Sequence, residues 1–167
     1  TIPGDESREL CTLAAAYLFE MNGDTDRAFD TYAELIDLVR DTLAGREDTA
    51  NPRLEDALRR MVVIAMAEEW HDKALLLLET LAGISPAYEP QFAELLRLTG
   101  NDEAAIAVYS DYLVKVPSDH VAMLRLGKLY HALGAVDAAR TAYAYILEHE
   151  PDNRAARTLL DKLETAA

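Results

Sequence analysis

Apolar residues recur at spacings of three and four along most of this chain, as they do on the buried face of an α-helix. The pattern is clear over residues 120–133, and Gly134 follows it in the manner of a helix C-terminal glycine. A second apolar stripe covers residues 137–148 and is broken by Pro151. The pattern therefore predicts a pair of helices joined by a short turn.

The same helix pair recurs along the chain. Four residue types return 34 positions later in a fixed order: Gly100 and Gly134, Ala105 and Ala139, Tyr109 and Tyr143, Pro117 and Pro151. A period of this length is typical of stacked helix–turn–helix units. The sequence therefore predicts an all-α repeat architecture.

These positions resemble the tetratricopeptide repeat family. Its motif has a bulky residue, Leu-Gly and Tyr on the first helix of each pair, and Ala, an aromatic residue and Pro on the second. Residues 120–153 fit it through Met123, Leu126, Gly127, Tyr130, Ala139, Tyr143 and Pro151. Residues 9–42, 55–88 and 86–119 fit it in part. Glu68, Glu69 and Trp70 replace the turn glycine of the second unit, and Pro86 and Pro117 are only 31 positions apart.

The resemblance implies a right-handed α-solenoid that forms a single domain over residues 1–167. About four helix pairs are expected, at 9–42, 55–88, 86–119 and 120–153, with an exposed loop inserted at 45–51 and a capping helix at 154–165. Where the two helices of a unit cross closely, both need small side chains. The expected pairs are Ala16 with Ala28, Ala93 with Ala105, Gly127 with Ala139 and, less closely, Val62 with Ala74.

Charge narrows the class of partner. The net charge of −14 lies entirely within residues 1–119, so nucleic acid and anionic membrane surfaces are repelled. A basic protein partner would be attracted, although the charge serves solubility equally well. No signal peptide is visible, and the longest apolar run, residues 61–67, is too short for a membrane span. Without an initiator Met, Thr1 is expected to be a boundary in a longer chain; a cytoplasmic location is favoured and a periplasmic one stays open.

The sequence shows no pattern of catalytic residues. Segment 22–34 resembles a calcium-binding loop, but Arg27 and Ala33 stand where Gly and Glu are needed, so Asp24 or Thr25 is interpreted as a helix N-cap. The four histidines are not paired at metal-binding spacing and are expected at helix ends or on the surface. Cys11, the only cysteine, is interpreted as a small buried residue. We therefore expect no enzyme activity, no cofactor and no metal site.

In the tetratricopeptide family, ligands lie on a concave face formed by the first helix of each unit. The resemblance places on that face Leu10, Leu13, Tyr17, Arg59, Val63, Met66, Glu94, Arg97, Leu124, Lys128 and His131. Some relatives bind chaperone tails through a Lys and an Asn one helical turn apart, but Leu13 and Tyr17 stand at those positions, so that clamp is absent. Arg125 and Lys128 remain as a smaller anion contact or as ordinary surface charge.

Two functions stay open at this point. The first is non-catalytic binding of a peptide or helix of another protein in the groove, as the soluble part of a larger secretion, envelope or polysaccharide-export assembly. Family analogy alone suggests that setting. The second is a structural spacer or self-associating domain without a groove ligand. The partner is expected to be a protein, and the chain to be a monomer or a weak homodimer.

Overall fold

The computed structural model describes residues 3–43 and 52–165, and within these ranges the chain folds into α-helices without a strand. The helices are α1 Pro3–Met21, α2 Thr25–Leu43, α3 Pro52–Ala67, α4 His71–Ile84, α5 Glu89–Leu98, α6 Asp102–Lys115, α7 His120–Ala132, α8 Val136–His149 and α9 Arg154–Thr165. The prediction of an all-α helical repeat is confirmed. The loop expected at 45–51 lies outside the described residues.

The helices form two compact units, Thr1–Ser85 and Pro86–Ala167, here called unit 1 and unit 2. In unit 1, α1 packs on α2, α2 on α3 and α3 on α4; in unit 2, each helix from α5 to α9 likewise packs on the next. Packing between consecutive helices is what a stack of helix pairs requires. The expectation of a single superhelical domain over 1–167 stays a prediction.

Small residues occupy the predicted helix crossings, because larger side chains would hold the helices apart. Ala16, Ala28, Ala74, Ala93, Ala105 and Ala139 are completely buried, and Val62 and Gly127 are buried as well. At Gly127 an added Cβ would lie 2.5 Å from Cε1 of Tyr143 and 3.2 Å from Cβ of Ala142. A side chain at position 127 would therefore meet Tyr143 and Ala142 on α8, and the pairing of Gly127 with Ala139 stays a prediction.

The turn inside each helix pair follows one hydrogen-bond pattern. In all four turns of the described residues, a backbone N–H reaches the carbonyl oxygen five residues earlier, at 2.7–3.0 Å. Gly23, Gly100 and Gly134 precede those N–H groups with φ of 74°, 83° and 77°. In the α3–α4 turn the residue is Glu69, which is held at φ 59°. The arrangement therefore forms even where the sequence supplies no glycine.

The short spacing between Pro86 and Pro117 has a visible consequence at the start of unit 2. Residues Pro86–Tyr88 form a single 3-10 turn, and α5 that follows has only 10 residues. At the other end of unit 2, α9 packs on α8 through the buried Ala156 and Leu163. The predicted C-terminal helix is thus present with an apolar face against the last repeat.

The expectation for Cys11 is wrong, because its side chain is exposed. The buried face of α1 contains Glu9 and Ala16, seven residues apart and thus almost in line along the helix. Cys11 follows Glu9 by two positions, which places it about 200° around the helix from that face. No helix within the described ranges is both long and apolar enough to span a membrane.

Candidate functional site

The predicted groove residues all lie on the first helices of the pairs, six in unit 1 and five in unit 2. Leu10, Arg59, Val63, Met66 and Lys128 are exposed, and the other six are partly buried. Each unit presents its own first-helix face. A groove formed jointly by all eleven residues stays a prediction.

Three of the predicted residues meet in one cleft of unit 2, between α5 and α7 and beside the first residue of α6. The cleft has a volume of about 420 Å³, and the residues that line it are Glu94, Arg97, Asp102, Arg125, Lys128, Leu129 and Ala132. We call it the unit 2 cleft. It therefore holds three cationic and two acidic side chains over a small apolar floor.

The charge of Glu94 is already satisfied from within the cleft. Arg97 donates from Nη2 to Oε1 of Glu94 at 2.7 Å and from Nε to Oε2 at 3.2 Å, and the hydroxyl of Tyr109 donates to Oε2 at 3.3 Å. The hydrogen bonds from Arg97 lower the pKa of Glu94, and the nearby charge of Arg125 acts in the same direction. Arg97 and Glu94 thus form a neutral pair.

Within the described residues, Arg125 and Lys128 form no ion pair of this kind, although Arg125 lies near Glu94 and the hydroxyl of Tyr109. They are exposed and lie three residues apart on α7, on the face that also presents Leu129 to the cleft. Neither side chain has a carboxylate within ion-pair distance in the part of the chain that the structure describes. Two cations at the side of a cleft, with no carboxylate of the described residues within ion-pair distance, can receive a negatively charged group from outside.

Unit 1 has a cleft of about 420 Å³ at a similar place, lined by Tyr17, Glu20, Met21 and Arg60. Here the arginine is neutralised: Nη1 of Arg60 lies 3.0 Å from Oε2 of Glu20, and its Nε lies 3.4 Å from Oδ2 of Asp56. The guanidinium also stacks 4.2 Å from the ring centre of Tyr17. The unit 1 cleft is therefore occupied by the chain's own ion pairs.

Two predicted groove residues turn out to have structural contacts. The hydroxyl of Tyr17 donates to Oδ2 of Asp56 at 2.5 Å, so this side chain links α1 to α3 and is not a free anchor. Leu124 packs against a core cluster that includes Tyr143 and Leu163, which uses part of its apolar surface. Both residues thus contribute to the packing of their units.

The family motif does not contain Glu20, Asp56 or Arg60, although the sequence carries a signal for them. Tyr32 is completely buried, and a buried hydroxyl needs an acceptor, which Glu20 provides at 2.6 Å. Arg60 and Arg125 also stand at the same repeat position, two residues before the crossing residues Val62 and Gly127. The shared charge of Arg60 and Arg125 at one repeat position is therefore visible in the sequence when the repeats are compared by charge as well as by size.

Asp24 caps α2, since its Oδ1 accepts from the backbone N–H of Arg27 at 3.4 Å. His71, His120, His131 and His149 all lie in the first or last turn of a helix, as expected. Over residues 3–43 and 52–165, no group of three His, Cys, Asp or Glu side chains is arranged to hold a metal ion.

Comparison with known proteins identifies the class of this helical repeat. Family models described as tetratricopeptide repeat match residues 13–42 and residues 99–163, which together are more than half of the chain. The chain belongs to the tetratricopeptide repeat family. No curated protein matches it.

Solved structures share the fold at low sequence identity. A tetratricopeptide repeat protein from Parabacteroides merdae is 21 % identical with a TM-score of 0.72, and the match covers 95 % of this chain but only 60 % of that one. The Sgt2 TPR domain from Aspergillus fumigatus is 24 % identical with a TM-score of 0.58, covering 70 % of this chain and 80 % of that domain. The first TPR of Spaghetti (RPAP3), bound to the HSP90 peptide SRMEEVD, is 19 % identical with a TM-score of 0.60, covering 70 % and 95 %.

Proposed function

We propose that this chain is a non-catalytic protein–protein interaction module whose unit 2 cleft binds an acidic peptide segment of a partner protein. The observation that carries the proposal is the pair Arg125 and Lys128, which lack an ion-pair partner in the described residues and border the cleft. The family supports the general role, since tetratricopeptide repeats form scaffolds and the Spaghetti (RPAP3) relative was solved with a peptide.

The chemistry of the cleft favours a carboxylate. A guanidinium presents parallel N–H donors that match the two oxygens of a carboxylate, and an ammonium adds a point charge. Leu129 and Ala132 give an apolar surface for the neighbouring side chain of the ligand. A volume of about 420 Å³ accommodates a few side chains, so an extended peptide suits it better than a whole helix.

The remaining exposed groove residues extend the proposal beyond the cleft. Leu10 on α1 and Val63 and Met66 on α3 are apolar, exposed and on first helices, and they would contact apolar side chains of the partner. Membership of a larger secretion, envelope or polysaccharide-export assembly stays a prediction, as does a basic partner drawn by the net charge.

The test is a binding titration with a defined probe, an N-acetylated and C-amidated peptide of Glu and Gly. Its matched control replaces every Glu by Gln, which keeps the size and removes the charge. We expect the double variant Arg125→Ala, Lys128→Ala to bind the acidic probe at least tenfold more weakly, about 1.4 kcal/mol. The variant Arg154→Ala, Lys162→Ala removes the same charges from the exposed surface of α9 and controls for net charge.

Two outcomes would contradict the proposal. Equal affinity for the Glu and Gln peptides would show that charge does not direct binding. An equal loss in the α9 control variant would show that only net charge matters. Light scattering over a range of concentrations separates the alternative of a self-associating spacer, because that function predicts a mass that rises with concentration and no effect of the peptide.

A further inference from the structure

Arg60 in unit 1 and Arg125 in unit 2 occupy the same position of the repeat. Each lies on the first helix of its pair, two residues before the crossing residue. Each also lies near the hydroxyl of a completely buried tyrosine from the preceding pair, Tyr32 for Arg60 and Tyr109 for Arg125. The two units therefore present a guanidinium at the same repeat position, although Val63 stands in unit 1 where unit 2 has Lys128.

The two arginines differ in the side chains at two other equivalent positions. The first helix of the preceding pair has its crossing alanine at Ala16 in unit 1 and at Ala93 in unit 2. Four residues after that alanine, unit 1 has Glu20 and unit 2 has Arg97. Four residues before the arginine itself, unit 1 has Asp56 and unit 2 has Val121. Both carboxylates that neutralise Arg60 are thus absent at the equivalent places around Arg125.

The two carboxylates of unit 1 are themselves held in place. Glu20 accepts from Tyr32 at 2.6 Å, and Asp56 accepts from Tyr17 at 2.5 Å, while both bind Arg60. A carboxylate on the same chain is present at a high effective concentration, whereas an external one loses translational and rotational freedom on binding. An external carboxylate therefore competes poorly for Arg60.

We propose that Glu20 and Asp56 act as built-in occupants of the unit 1 arginine and restrict acidic segments to unit 2. Each chain then takes up one acidic segment, although its repeats contain two equivalent arginines. The inference rests on the proposed function and adds the residues that determine how many such segments bind. The ion pairs of Glu20 and Asp56 with Arg60 then inhibit binding at unit 1, in addition to stabilising the packing of its helices.

The direct test is the double variant Glu20→Gln, Asp56→Asn. The amide oxygens still accept from Tyr32 and Tyr17, but the negative charges on Arg60 are gone. Calorimetric titration with the amidated Glu and Gly peptide should give one site in the wild-type chain and two sites in the variant. Adding Arg60→Gln should return the count to one. The helical circular dichroism of each variant is measured in parallel.

A second variant adds a carboxylate beside Arg125 instead of removing those beside Arg60. Its result does not depend on whether the Glu20→Gln, Asp56→Asn variant folds. Val121 is 63 % exposed at the start of α7, where an acidic residue is favourable for the helix. Val121→Asp should place a carboxylate one turn from Arg125 and weaken the wild-type site at least fivefold, while Val121→Asn should leave it unchanged. Equal affinity of Val121→Asp and the wild type would overturn the inference.

The outcomes separate this inference from the proposed function. One site in the wild type and still one site in folded Glu20→Gln, Asp56→Asn would overturn the inference alone. A wild-type chain that does not bind the acidic peptide would overturn the proposed function and the inference with it.

Discussion

Three buried tyrosines stand at the same repeat position, so the contribution of each hydroxyl group to stability can be compared in one environment. Tyr32, Tyr109 and Tyr143 are all completely buried, and each follows the crossing alanine of its second helix by four residues. Their hydroxyls differ: that of Tyr32 donates to Glu20 at 2.6 Å and that of Tyr109 to Glu94 at 3.3 Å. The hydroxyl of Tyr143 is buried without a hydrogen-bond partner in the described residues. Changing each tyrosine to phenylalanine therefore removes a different interaction from the same environment.

The expected magnitudes follow from these contacts. Tyr32→Phe removes a short bond to a carboxylate, which contributes roughly 1.5–3 kcal/mol; the lower end is expected because Arg60 still satisfies Glu20. Tyr109→Phe removes a longer bond, and Glu94 keeps Arg97, so a loss of roughly 0.5–1.5 kcal/mol is expected. Tyr143→Phe removes a buried polar group without a partner and should stabilise unit 2 by roughly 1 kcal/mol.

Urea unfolding followed by helical circular dichroism measures the three differences on one scale. The expected order of stability is Tyr143→Phe, wild type, Tyr109→Phe and then Tyr32→Phe. A double-mutant cycle with Glu20→Gln isolates the Tyr32 contact from any change in packing. If Tyr143→Phe were as destabilising as Tyr32→Phe, the hydroxyl of Tyr143 would have a strong partner, and the reasoning from burial would be refuted.

Three further predictions concern packing, backbone and charge. Gly127→Leu should lower the free energy of unfolding of unit 2 by about 1–3 kcal/mol, because even a Cβ would meet the ring of Tyr143; an unchanged melting temperature would show that the repeat register is wrong. Glu69→Gly should raise stability by about 1 kcal/mol, since it relieves a positive φ, and thermal unfolding that shows a loss would contradict this. The pKa of Glu94 is lowered in the folded state, so its stabilisation is present above the unfolded pKa of about 4.3 and is lost as the pH falls through the folded pKa. The stability difference between wild type and Glu94→Gln should therefore disappear in acid unfolding series, and a difference that grows below pH ~4 would contradict the assignment.

The fold could be predicted from the sequence because close packing restricts the residue types at a few positions. Ala105 and Ala139 recur because two helices touch there, and Tyr109 and Tyr143 recur because each fills the same buried space. The α3–α4 turn shows the limit of such reasoning. Glu69 does not match the glycine pattern, yet its backbone adopts the same positive φ, since the hydrogen bonds that close the turn determine it.

The two clefts were predicted less completely than the fold, because the charges of the unit 1 cleft pair between helices that are distant in sequence. Arg60 meets Glu20 across 40 positions and Tyr17 meets Asp56 across 39. Such contacts depend on the register between successive pairs, which a motif for a single repeat does not contain. The motif therefore placed Tyr17 on the correct helix but did not show that its hydroxyl was already in use.

The net charge of the chain favours a basic partner, whereas Arg125 and Lys128 in the unit 2 cleft favour an acidic one. The distance over which each charge acts decides which of them determines binding. A net charge of −14 favours basic partners at long range, but at physiological ionic strength screening limits that field to about 8 Å. Under the proposed function, Arg125 and Lys128 contact the bound carboxylate directly, well inside that distance, so they would select the ligand of the unit 2 cleft. The acidic surface then slows the approach of an acidic segment without preventing its binding. Added salt should consequently speed association while it weakens the bound state, a combination that stopped-flow and equilibrium titrations can separate.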